Sequence, residues 1–243
     1  MAIEEERKYL IRDEDTFSGL LGLLRPKSTG QSFAKVGEFE VRDSISKSRD
    51  YRYFDTFERT LERQEGAVGV GGILEHEGGS ASIRDRGTDY ILAVKIPTGE
   101  EDQRQEMEQE ISADKGRFYD LDPLQYLSEE QRTYIEQLCG NRPLAEVVRL
   151  KVMTHRFDLY LGQEHHLQVS VDDVVAEASI GMQRSFREFE IEIIGVGTPS
   201  AKDRLALYFL DRYGPGLIRS SLPKWIKALR LIRGEEIIPD API

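Results

Sequence analysis

"IEEERKYLI", residues 3–11, is the stretch on which the fold turns. Glu4, Glu6 and Lys8 alternate along it, and apolar Tyr9, Leu10 and Ile11 close it. Read as a strand, its period of two puts the three charges on one face, successive ones about 6–7 Å apart. A first strand with two carboxylates and an ammonium on one side needs something for that side to face.

The same habit recurs downstream. In "SFREFEIEII" (185–194), Glu188, Glu190 and Glu192 share one face, while Phe189, Ile191 and Ile193 share the other. In "RQEMEQEIS" (104–112), Arg104, Glu106, Glu108 and Glu110 are in phase. Arg84 and Arg86 are in phase in "ASIRDRG" (81–87), and Lys95 ends "ILAVKI". In "EVVRLKV" (146–152), Arg149 and Lys151 share a face opposite Val148, Leu150 and Val152. Taken singly, each strand fits a half-solvated antiparallel sheet with its charges in water. As a set they do not. Three like charges along one face repel, and free surfaces normally intersperse signs. Here the signs are segregated by strand. That grouping suits a charged face enclosing both a polyanion and divalent cations, with the apolar faces outward beneath helices. Such a structure is a barrel with a wet interior.

The rest of the chain agrees. "RDEDTFSGLLGLL" (12–24) reads as a helix capped by Asp13 or Asp15. "FEVRDSISKSRDYRYFDT" (39–56) reads as one or two strands, and "FERTLERQEG" (57–66) as a short helix. The glycines of "AVGVGGILEHEGG" (67–79) read as turns, since they lack phosphate-loop spacing. "LSEEQRTYIEQLCG" (127–140) is a helix with Ser128 as N-cap and Gly140 past its end. Three further strands precede two amphipathic helices, within 198–214 and 221–232. The count is about eight strands with helices outside: an α+β, eight-stranded antiparallel barrel over 1–196, with 197–243 as helices packed on it.

Composition bounds the function. The 243 residues are 39% hydrophobic and 32% charged, with a net charge of −11, which argues against a nucleic-acid binder. Cys139 is the only cysteine, so no intrachain disulfide or cysteine-held zinc is expected. No apolar run approaches the roughly 20 residues of a membrane helix, and the acidic N-terminus does not read as a signal peptide. A cytoplasmic protein is expected. His165-His166 reads as a turn pair, and Trp225 as docking "KWIKALRLI" (224–232) on the barrel, with self-association as a homodimer the other use of that helix.

Glu4, Glu6 and Lys8 form an ExExK pattern that resembles the signature of the CYTH proteins, the triphosphate tunnel metalloenzymes. "RYFDTFERTL" (52–61) is similar to the family's aromatic-Asp-Thr stretch, "SIRDR" (82–86) to its Arg-x-Arg strand, and "LAVKIP" (92–97) to its lysine strand. "RQEMEQEI" (104–111), "VSVDDV" (169–174) and "FEIEI" (189–193) resemble its remaining acidic strands, in the family's order, over residues 3–194. The departure is "RLKVMTHRF" (149–157), where Arg149 and Lys151 match by parity and Arg156 is out of phase unless a bulge intervenes.

The resemblance implies a tunnel that binds a small triphosphate and hydrolyses it with Mg²⁺ or Mn²⁺. Lys8, Arg84, Arg86, Lys95, Arg149 and Lys151 are its implied cradle, since guanidinium forks match phosphate oxygens in pairs. Glu4, Glu6, Glu106, Glu108, Asp172, Glu190 and Glu192 are the implied metal ligands, hard oxygens for a hard cation. Glu4, Glu6 and Lys8 are the residues on which catalysis is expected to depend. Adenylate cyclase activity, also known in the family, and a triphosphate-binding module without turnover are the alternatives. A pure polyanion binder gains nothing from carboxylates, so turnover ranks above binding alone.

Overall fold

A computed structural model describes residues 2–25, 33–56, 67–74, 89–97, 103–112, 123–140, 142–178 and 181–237. The order is β1 (Ala2–Ile11), α1 (Glu14–Leu24), β2 (Ala34–Val36), β3 (Phe39–Thr56), β4 (Ala67–Leu74), β5 (Asp89–Pro97) and β6 (Gln103–Ser112). There follow α2 (Glu129–Cys139), β7 (Leu144–Leu161), β8 (Glu164–Glu177), β9 (Gln183–Ile193), α3 (Pro199–Tyr213), β10 (Leu217–Arg219) and α4 (Lys224–Ile232). This is an α+β fold on one antiparallel sheet. Pairing runs β10-β1-β6-β5-β4-β3-β7-β8-β9, with β2 on β3. Strand β1 pairs with β6 through Ala2–Glu5 and with β9 through Glu6–Ile11.

Local chemistry sets the ends of the helices. Asp13 caps α1, its Oδ1 accepting from Thr16 N at 2.7 Å, and Ser128 with Gln131 forms a capping box on α2. The segment 39–56 is one long strand. "AVGVGGIL" is not a turn but strand β4, paired with both β3 and β5. Its Val68, Val70 and Ile73 supply the β propensity that its glycines lack.

The helices divide between the faces of the sheet. Tyr9, Phe157, Val169, Val171, Phe189 and Ile191 pack under α1 and α3, against Leu20, Leu24, Leu205 and Phe209. Leu92, Val94 and Met107 pack under α2 with Ile135 and Cys139. The opposite face is covered by α4: Leu10, Val148, Leu150, Val152, Val174, Ala176 and Phe186 meet Trp225, Ile226, Ala228 and Leu229. Leu10 is in phase with Glu6 and Lys8, and Phe186 with Glu188 and Glu190. Helix α4 therefore sits on the charged face, where the sequence pattern had placed both C-terminal helices on the apolar one. Burying a side chain the size of Ile226 or Leu229 contributes about 1.5–3 kcal/mol, and Trp225 is 2% exposed. The helix face offered for self-association is spent inside the chain.

Candidate active site

The site is built in rungs across the α4-bearing face. Glu6 of β1 aligns with Glu192 of β9, and Glu192 with Gln168 of β8. The next rung runs Lys8, Glu190, Ser170, Arg156 and Ile45, through β1, β9, β8, β7 and β3. The third runs Leu10, Glu188, Asp172, Thr154 and Lys47. Neighbouring strands lie about 4.8 Å apart, so each rung brings its charges within Coulombic reach.

These rungs border a cavity of about 230 Å³. Glu6, Lys8, Asp172, Glu190 and Glu192 line it from β1, β8 and β9. Lys47, Arg49 and Arg156 line it from β3 and β7. Tyr51, Tyr53 and Trp225 also border it, the Trp225 ring stacked on Tyr53 at 6.0 Å between centroids. Carboxylates thus stand on one side, with Lys8 among them, and the cations Lys47, Arg49 and Arg156 on the other.

Helix α4 reaches into the acidic side. Lys224 Nζ lies 2.6 Å from Asp172 Oδ2, 3.4 Å from Glu190 Oε1 and 3.6 Å from Glu188 Oε2. Lys227 pairs with Glu188, both fully buried. Lys8 pairs with Glu6 and lies 3.4 Å from Glu190, to which Ser170 Oγ donates at 3.2 Å. Burial pushes the Asp172 carboxyl up, Lys224 opposing the shift and Glu190 adding to it. Burial pulls Lys224 down, but the charges of Asp172, Glu190 and Glu188 outweigh it and hold the amine well above its usual range. Surrounded by three carboxylates, Lys224 stays an ammonium. Lys227 is held below the usual range by burial, with Glu188 opposing.

One ligand oxygen from each of Asp172, Glu188 and Glu190 falls within 4.8 Å of the others. Three carboxylates are a hard donor set of the kind that Mg²⁺ and Mn²⁺ take. Glu188 Oε2 is buried and accepts no hydrogen bond, an oxygen with coordination capacity to spare. The residues fit a divalent cation.

Of the residues expected from sequence, Glu6, Lys8, Asp172, Glu190 and Glu192 come together here. Arg149 and Lys151 are placed elsewhere. Arg149 pairs across the strands with Arg52 and binds Glu146, whose other oxygen takes Arg52 Nε at 2.5 Å, while Lys151 is exposed. The reason is phase. Registers from Arg149 to Asp158 run without a shift, so Thr154 and Arg156 continue the face of Leu150 and Val152. Arg156 reaches the cavity with no bulge needed. For Glu4, Lys95, Glu106 and Glu108 the strand register alone is described: Glu4 aligns with Arg104, Glu106 with Ala2 and Lys95, and Glu108 with Ala93. Arg84 and Arg86 lie outside the described residues.

Sequence reasoning missed Lys224 and Lys227, the place of Glu188 in the carboxylate cluster, and the odd-numbered face of β3. One signal was available. Lys224 and Lys227 stand three apart, on one side of a helix, among Trp225, Ile226, Ala228 and Leu229. Lysines within so apolar a segment need buried counter-charges.

No protein-family model and no curated protein sequence matches the chain. Solved structures do. HpAC1 from Hippeastrum, a candidate adenylyl cyclase with a dominant triphosphatase activity, superposes with a TM-score of 0.59 at 15% identity, over 96% of this chain and 97% of that one. A candidate adenylate cyclase from Bacillus halodurans gives 0.50 at 19% identity, over 88% and 91%. The chain has the fold of the CYTH-type triphosphate tunnel proteins. Lys47 and Arg49 of β3 and Arg156 of β7 border the same cavity as the carboxylates of β1, β8 and β9. Among the described residues no helix is long and apolar enough to cross a membrane.

Proposed function

We propose that this protein is a divalent-metal-dependent triphosphatase, acting on inorganic triphosphate or a small organic triphosphate. The observation that carries the reading is the cavity between the carboxylates of β1, β8 and β9 and the cations of β3 and β7. In this reading the circuit of pairings, from β1 through β6, β5, β4, β3, β7, β8 and β9 back to β1, encloses a barrel tunnel. In the same reading the tunnel domain is 1–196, and helices α3 and α4 within 197–243 pack on it, α4 sending Lys224 into it.

Lys47, Arg49, Arg156 and Lys8 would bind the phosphate chain, with Lys95, Arg84 and Arg86 as further members of the cradle. Asp172, Glu188 and Glu190 would hold Mg²⁺ or Mn²⁺, with Glu4, Glu6, Glu192, Glu106 and Glu108 as supplementary ligands. A divalent ion held there would supply charge neutralisation for the phosphoryl oxygens and a lowered pKa for an attacking water. Phosphoryl transfer asks the protein mainly for positioning and electrostatic stabilisation, which fixed side chains of both signs supply. HpAC1, with its dominant triphosphatase activity on the same fold, supports hydrolysis over cyclisation.

The test is phosphate release from inorganic triphosphate, ATP and thiamine triphosphate with Mg²⁺ or Mn²⁺. Release that EDTA stops is expected from at least one. No release from any of them, or cyclic AMP as the main product from ATP, would overturn the proposal.

A further inference from the structure

Helix α4 begins at the cavity wall, with Pro223 and Lys224 both lining it. The first helical side chain puts its ammonium among Asp172, Glu188 and Glu190, within 3.6 Å of an oxygen of each. Those are the three carboxylates whose oxygens converge closely enough to ligate one cation. Glu188 Oε2 takes no hydrogen bond, and Lys224 stands 3.6 Å from it. The ammonium thus approaches the cluster as a charge more than as a full set of hydrogen bonds. A cation within 3.6 Å of three carboxylate oxygens is already in place.

An ammonium and a divalent ion cannot share that cluster. At separations of a few ångströms, away from bulk water, their repulsion far exceeds thermal energy. Lys227 does not face the same conflict. It lies deeper, fully buried, and is bound to Glu188 on the other oxygen, Oε1. We propose that Lys224 is a resident cation: its ammonium holds the divalent-cation position among Asp172, Glu188 and Glu190, and metal entry displaces it into the cavity. The proposal rests on the metal-binding part of the function proposed above. It makes Lys224 a competitor of the metal, and the chain's own switch between an empty and a loaded site. Because Lys224 borders the cavity, the displaced ammonium stays beside the space assigned to the phosphates.

The experiment uses the full chain without any triphosphate. Mn²⁺ binding is followed by the electron paramagnetic resonance of free Mn²⁺ for wild type, Lys224→Met and Lys224→Arg. Emission of Trp225, the single tryptophan, checks that each variant is folded. Lys224→Met is expected to bind Mn²⁺ roughly tenfold more tightly or better, and Lys224→Arg within about threefold of wild type. A second measurement needs no variant. Acetylation of wild-type lysines by acetic anhydride, read by mass spectrometry, should rise severalfold at Lys224 on Mg²⁺ loading and stay constant at Lys227. Equal or weaker Mn²⁺ binding by Lys224→Met, no Mn²⁺ binding by any form, or unchanged acetylation of Lys224 would overturn the proposal. A chain that exchanges Lys224 for metal yet hydrolyses no triphosphate refutes the triphosphatase reading alone.

Discussion

The two faces of the sheet are covered by helices for opposite reasons. Under α1 and α3 the contact is mainly hydrocarbon, Phe189 meeting Phe209 edge to face at 4.6 Å between centroids, with the ion pairs Lys202–Glu5, Arg7–Asp203 and Arg187–Glu14 beside it. Under α4 the contact is divided: Trp225, Ile226 and Leu229 pack on apolar side chains, while Lys224 and Lys227 neutralise carboxylates. Burying charges costs more free energy than burying methylenes, even when the charges are paired. A fold that only needed a lid would use apolar side chains on both faces. The difference lies in how the charges are gathered: the α1–α3 face is chiefly apolar packing, and the α4 face collects its carboxylates around a cavity, as the proposed function requires.

Changes on the first face should then act on stability alone. Phe209→Ala is expected to cost roughly 3–5 kcal/mol in urea unfolding, with the KM for triphosphate unchanged in the folded fraction. A shifted KM would break the division. On the second face, Asp172→Asn should lower turnover on the order of 10²-fold, with a smaller effect on the unfolding midpoint. Equal turnover in steady-state assays would remove Asp172 from the chemistry.

A finer contrast lies within β7. Arg156→Ala should raise KM about tenfold, the loss of one charge-assisted contact worth roughly 1.4 kcal/mol. Arg149→Ala, on the far side of the strand, should leave KM within about twofold. The reverse ranking would mean that the phosphate chain runs along the other face. The smallest effect is expected at the α2 cap. Ser128→Ala should cost about 1 kcal/mol without changing either kinetic constant, and a kinetic change would tie α2 to the site.

How legible each part was in the sequence follows from the same division. Strand β9 declared its charged face because Glu188, Glu190 and Glu192 keep strict period two beside Phe189, Ile191 and Ile193, and β1 declared its own by Glu6 and Lys8 in the same period although Glu5 and Arg7 flank Glu6. The face of β3 mixes Ile45, Lys47, Arg49, Tyr51 and Tyr53, and no sign or hydropathy rule joins them. Strand β7 misled because its buried apolar positions change phase, from Val148, Leu150 and Val152 to Phe157 and Leu159. That change looks like a bulge. Its cause is a change of cover, since α4 lies over the first half on one face and α1 and α3 over the second half on the other. Lys224 and Lys227 stayed hidden because lysine on an amphipathic helix normally reaches water. Only tertiary packing tells which side of the sheet the helix covers.

Where cation and phosphates bind decides between the two faces. A crystal of the wild-type protein grown with Mn²⁺ and tripolyphosphate would locate both, the metal by its anomalous scattering. A Mn²⁺ peak is expected in contact with carboxylate oxygens of Asp172, Glu188 and Glu190, and phosphates against Arg156, Arg49 and Lys47. Metal and phosphates bound together outside this cavity, with Lys224 still seated among the three carboxylates, would contradict it.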